Sequence, residues 1–128
     1  MRVMVIVKAT EDTERGTPPT PEAMAAMHEY GEAAAAAGIV LVDGAGLMTS
    51  SHGKRVAFDG AGVTVIDGPF AEARELIAGY AVWEVRDMDE ALAWAKRWPS
   101  PASGRSEIEI RPLFEWQPAE ESFAEKVL

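Results

Sequence analysis

The chain has 128 residues, of which 12 are basic, 21 acidic and none cysteine, for a formal net charge of −9. That length makes one domain, and area scaling lets roughly two-thirds of the unfolded surface be buried, enough for a core without metal or disulfide staples. The negative charge argues against phosphate backbones and anionic lipid as partners, and the missing cysteines remove thiolate nucleophiles, disulfides and zinc ribbons together. The apolar run at the N-terminus is too short for a secretory signal, and no stretch reaches the roughly 18 apolar residues of a membrane helix, so a cytoplasmic protein is expected.

Met1–Lys8 is rich in valine and too short for a helix, so it reads as a buried strand with Val3, Val5 and Val7 on one side and Met4 and Ile6 on the other. The polar Thr10–Thr20 segment reads as a loop. Thr20-Pro21-Glu22 then supplies an N-cap, a first-turn proline and an acid, which predicts a helix running to Ala37 with Gly38 in the left-handed conformation past its end. Ile39–Val42 is a strand ended by Asp43-Gly44-Ala45-Gly46. Lys54–Phe58 and Val63–Ile66 flank Asp59-Gly60-Ala61-Gly62, the turn chemistry of a hairpin. Asp67-Gly68-Pro69-Phe70 breaks its second arm, and Ala71–Ile77 is expected to be a short helical segment.

Gly79–Arg86 reads as a strand. Asp87, followed three residues on by Glu90, opens a second helix whose Met88, Ala91, Leu92, Ala95 and Trp98 recur at helical spacing up to Pro99. Arg105–Phe114 alternates Ile108 and Ile110 with Glu107, Glu109 and Arg111, a strand with one charged face. Strand, helix, strand, hairpin, strand, helix, strand is the order of an α+β, ferredoxin-like split βαβ fold with an inserted hairpin. Both helices then cover one sheet face. Met4 and Ile6, with either Tyr80 and Val82 or Trp83 and Val85, are left as an apolar patch on the other face, and a second copy of the chain is its simplest cover.

Candidate chemistry is sparse. The rigid Asp67-Gly68-Pro69-Phe70 turn either caps itself through the aspartate or presents Asp67 as a general base beside a wall formed by Phe70. Glu84 and Arg86, and Glu107, Glu109 and Arg111, repeat at period two. Arg111 and Glu84 are therefore candidate ligand contacts or members of interfacial ion pairs, and Tyr80 is a further candidate on the patch. His28 and Glu32 are spaced as a helix-surface pair. With no HExxH motif and no cysteine, neither metal nor cofactor is expected. His52, beside Ser50, Ser51 and Gly53, reads as loop.

Asp67-Gly68-Pro69-Phe70-Ala71-Glu72, then Gly79-Tyr80, Asp89-Glu90-Ala91, Pro99 and Glu107-Ile108-Glu109-Ile110-Arg111-Pro112 follow one another in an order that resembles the DGPF branch of the YCII-related proteins. Gly38 and Gly46-Leu47 are further landmarks, while Ala73-Arg74-Glu75 stands where the family usually reads Thr-Lys-Glu. The resemblance implies one domain over residues 1–116 that pairs as a dimeric α+β barrel, with residues 117–128 as an arm or short helix. It also implies an acid-base dyad of a first-helix histidine and a following-strand aspartate, here His28 and Asp43. One YCII relative dehydrochlorinates a chlorinated hydroquinone, and many DGPF genes adjoin extracytoplasmic-function sigma factors. Three readings follow: a homodimer binding a small molecule, with cofactor-free elimination or isomerisation involving Asp67, His28 and Asp43; a non-catalytic accessory module of such sigma factors; and a cofactor-free monooxygenase-like barrel.

Overall fold

The computed structural model describes residues 1–99 and 104–115. In chain order the elements are β1 (Arg2–Lys8), α1 (Glu11–Glu14), α2 (Pro21–Ala36), β2 (Val40–Gly46), β3 (Lys54–Asp59), β4 (Gly62–Asp67), β5 (Ile77–Glu84), α3 (Met88–Ala95) and β6 (Ile108–Pro112). The main sheet has the order β2-β5-β1-β6 with antiparallel pairings throughout, and β3 and β4 form a separate two-stranded ribbon. This is the ferredoxin-like arrangement expected from the element order. The C-terminal arm expected over 117–128 lies outside the described residues.

Alternation along β1 decides which face is covered. Val3 and Val5 are fully buried and cluster with Ala81, Trp83 and Val85 of β5 and its flank, Tyr30 and Ala34 of α2, and Ala91 of α3. Both long helices therefore cover the Val3 side. Tyr30 organises the layer: its hydroxyl donates to the Trp94 carbonyl, and its ring lies 5.9 Å and 5.5 Å from those of Trp94 and Trp98. Burial raises its pKa to about 12. Trp98 belongs to this aromatic group although α3 ends at Ala95, because a tighter turn carries the chain on and the Trp98 N–H donates to the Ala95 carbonyl.

The caps act largely as their residues suggest. The Thr20 hydroxyl accepts from the Ala23 N–H at 3.1 Å, and Gly38 takes φ +95° after α2. The Asp87 carboxylate accepts from the Glu90 N–H at 2.8 Å, while Glu90 reaches back to the Arg86 N–H at 2.9 Å, one residue beyond the usual capping-box partner. That bond, reinforced by the Arg86 guanidinium, holds the Glu90 carboxyl below its ordinary pKa.

Four expectations are corrected. Thr10–Thr20 is not all loop: Thr10 and Thr13 exchange side-chain-to-backbone hydrogen bonds that start α1, a helix with no apolar stripe to announce it. Asp43-Gly44-Ala45-Gly46 does not end β2 but lies within it, since an irregularity between Leu41 and Asp43 re-registers the strand so that Asp43 faces Val82 and Ala45 faces Tyr80. The short helical segment expected over Ala71–Ile77 is present only in reduced form. It contains a single 3-10 turn at Ala73–Glu75, and Ile77 already begins β5. The last strand is shorter than the alternation suggested, Ile108–Pro112.

Candidate functional site

The open face of the main sheet is assembled by register. Met4 stands opposite Val82 and Arg111, and Val82 opposite Asp43, so Asp43, Val82, Met4 and Arg111 form one row across all four strands. The next row is Ala45, Tyr80, Ile6 and Glu109, and Arg2, Glu84 and Val40 form a third. Of the two alternatives left open by the sequence, the structure selects Tyr80 with Val82 for this face, while Trp83 and Val85 go to the helix side.

Polar groups on this face are paired within it. The Tyr80 hydroxyl donates to Asp43 Oδ2 at 3.2 Å, and that bond, together with the carboxylate charge, raises the Tyr80 pKa and keeps the phenol a donor. Asp43 Oδ1 also accepts from the Gly44 N–H at 2.8 Å, so both oxygens are oriented. Glu84 takes the Met1 amino group at 3.3 Å and Arg2 Nε at 3.1 Å, which hold its carboxyl below the ordinary value, the amino group chiefly. Arg111 Nε donates to Glu109, and Lys8 Nζ lies 3.9 Å from the same carboxylate. The face thus has an apolar floor of Met4, Ile6 and Val82, an oriented carboxylate on one edge and a guanidinium on the other, about 14 Å apart at strand spacing.

Asp43, Tyr80, Glu84 and Arg111 are therefore brought together, and the other candidates are not. His28 pairs with Glu32 at 2.9 Å on an exposed turn of α2. Asp67 ends β4 and pairs with Lys54 across the hairpin, not with a backbone N–H of its own turn. Phe70 is covered by the Arg55 guanidinium, 3.9 Å from the ring centroid. Among the described residues no group of three or more His, Cys, Asp or Glu is placed to hold a metal, and no helix is long and apolar enough to cross a membrane.

Two features escaped the sequence. The Ser50 hydroxyl donates to Glu14 Oε2 and accepts from the Phe70 N–H at 3.0 Å, while Glu14 Oε1 accepts from the Ser50 N–H at 2.9 Å. This relay ties α1 to the Asp67–Phe70 turn over separations of 36 and 20 residues, which no local pattern reveals. Beside it, an open groove of about 640 Å³ is lined by Thr13, Arg15, Thr17, Met48, Thr49 and His52 among others. His52, expected in a loop, ends a single 3-10 turn, Ser50–His52, and lines this groove.

A four-stranded antiparallel sheet backed by two helices, with a partly charged free face, defines a ferredoxin-like α+β protein. The chain belongs to the YCII-related family, whose model matches residues 1–117. It is 36% identical over 61 residues to an uncharacterised protein of Rhizobium meliloti (strain 1021), a match covering 47% of this chain and 49% of that relative. The chain thus spans about half the length of the curated relative it matches.

Proposed function

We propose that this protein is a homodimer of the DGPF branch whose open sheet faces enclose a small-molecule cavity, with Asp43 as the acid-base group of a cofactor-free elimination or isomerisation. The observation that carries the reading is the row Asp43, Val82, Met4 and Arg111 with Tyr80 bonded to Asp43. An apolar floor accepts a flat or hydrophobic body, and Arg111 accepts an anionic end. The Asp43 carboxylate takes a proton from a hydroxyl or a carbon of the substrate. In an elimination the electron pair left behind forms a double bond as the leaving group departs with its own pair; in an isomerisation the proton returns at a neighbouring carbon. Tyr80 steadies the carboxylate through its hydroxyl. Assignment to the DGPF branch is supported by the turn itself, where Gly68 permits an approach to Ser50 that no other residue allows.

The test is chloride release from a chlorinated hydroquinone by the purified dimer. Wild type should release chloride, and Asp43→Asn should lower turnover by roughly 10²-fold or more, as loss of a general base does. Asp67→Asn should match wild type. Equal rates for wild type and Asp43→Asn would overturn the role of Asp43, and no release by wild type would remove this substrate class.

A further inference from the structure

The β3–β4 hairpin carries an exposed apolar face. Val56 faces Val65 and Phe58 faces Val63, so four large apolar side chains share one side of a two-stranded ribbon, and all are 51–77% exposed. The two strands pack chiefly on each other. An isolated two-stranded ribbon is at best marginally stable in water, so a ribbon with this surface calls for a partner.

A second exposed apolar stretch lies on the free edge of the main sheet. In β2 the side chains of Val40, Leu41 and Val42 are 42–66% exposed; Val40 stands on the open face in the row of Glu84, and Leu41, opposite Trp83, stands on the helix side of the same edge. The other edge strand, β6, offers Glu109 and Arg111 to the open face instead. Apolar ribbon and apolar edge are therefore complementary, whereas ribbon and β6 are not.

We propose that the hairpin is a dimer clasp: the Val56, Phe58, Val63 and Val65 face of one protomer seats along the β2 edge of its partner, over Val40 on the open-face side and Leu41 on the helix side, at the mouth of the cavity holding Asp43 and Tyr80. The proposal rests on the homodimer reading above. Area supports a second copy as the occupant. In a two-fold pair each protomer contributes both surfaces, about 400 Å² of ribbon and about 250 Å² of edge, close to the roughly 800 Å² per partner of a standard interface before the sheet faces are counted.

Charge supports it as well. The chain carries a net charge of −9, which opposes self-association, yet the surfaces that meet are neutral. On the open face Arg2, Lys8 and Arg111 balance Asp43, Glu84 and Glu109, and on the hairpin Lys54 and Arg55 balance Asp59 and Asp67. The excess negative charge lies elsewhere, so two copies meet here without like-charge opposition. The partner's Phe58 then stands beside the edge bearing Asp43, and the site is complete only in the dimer.

Because the chain has no cysteine, an engineered pair reports one contact cleanly. The 128-residue chain carrying Val40→Cys and Phe58→Cys should form a covalent dimer on mild oxidation, seen on a non-reducing gel, whereas either single variant should not give the same yield. In parallel, Phe58→Asp should raise the dimer Kd at least tenfold by sedimentation equilibrium without changing the far-ultraviolet circular dichroism. A wild-type monomer would overturn both the homodimer reading and the clasp. A wild-type dimer with unchanged Kd in Phe58→Asp, or with the cysteine pair closing within one chain, would overturn the clasp and leave the sheet-face dimer standing. If Phe58→Asp fails to fold, the crosslink alone decides.

Discussion

Gly68 lies so close to the Ser50 backbone that a Cβ built on it would stand 1.7 Å from the Ser50 carbonyl oxygen, while its own N–H donates to the Gly53 carbonyl at 3.0 Å. The atom in the way is main chain and no rotamer change relieves it. Gly68→Ala should therefore destabilise the protein by more than about 3 kcal/mol, the range of severe steric lesions, with the loss read from urea unfolding. A change below about 0.5 kcal/mol would show that the Asp67–Phe70 turn and the Ser50 turn are not packed in this way.

Asp67, the neighbour of that glycine, should behave oppositely. Its partner is Lys54, and the two side chains are 73% and 67% exposed. Exposed pairs of this kind contribute little, so Asp67→Ala should shift stability by less than about 1 kcal/mol. A larger loss would indicate that the carboxylate holds its own turn after all.

Ser50→Ala removes both ends of the relay from Glu14 to the Phe70 N–H, leaving a charged acceptor and a partly buried donor without this partner. Hydrogen bonds to charged groups contribute roughly 1.5–3 kcal/mol, and a loss in that range is expected in chemical denaturation. Restoring the hydroxyl with Ser50→Thr should recover part of it.

Tyr30 sets an alkaline limit. Its pKa is raised from 10.0 to about 12, so above pH 10 the unfolded chain loses the phenolic proton while the folded chain keeps it. Its contribution is whole below pH 10 and is lost as pH rises towards 12. At neutral pH Tyr30→Phe should cost about 1 kcal/mol for the bond to the Trp94 carbonyl. Urea midpoints at pH 9 and pH 11.5 should show the wild-type advantage shrinking, and a constant gap would count against the burial of Tyr30.

Glu90 works at the acid end. Its folded pKa is lowered, chiefly by the Arg86 N–H, so its contribution is present above the ordinary carboxylate range and disappears as pH falls through the folded value. Glu90→Gln should flatten the acid limb of the thermal-stability profile below about pH 5. An unchanged limb would mean that the N-terminal turn of α3 gains nothing from the charge.

Elements with a strong local signature were legible in the residues. The Val3 and Val5 alternation, the Thr20-Pro21 cap, Gly38, the Asp59–Gly62 turn and the Asp87 cap each express a preference within a few residues. Together with element order, they were enough for the ferredoxin-like topology. α1 was missed because Thr10 and Thr13 start a helix through side-chain hydrogen bonds and not through an apolar stripe, and β2 was cut short because Asp-Gly chemistry that ends most strands is here absorbed by an irregularity in register.

The sequence by itself determined the single apolar core, the two long helices, the hairpin and the absence of thiol chemistry, because periodicity, capping and composition are properties of neighbouring residues. Only the tertiary structure decided which carboxylate has chemical company. Asp43, Asp67 and the pair His28–Glu32 look alike as local patterns, but strand register sets Asp43 beside Tyr80, ion pairing gives Asp67 to Lys54, and helix phase leaves His28 with Glu32. Tyr80 and Asp43 are 37 residues apart, and their contact exists only because β5 pairs with β2 in one register; a slip of one residue would turn one of the two to the opposite face.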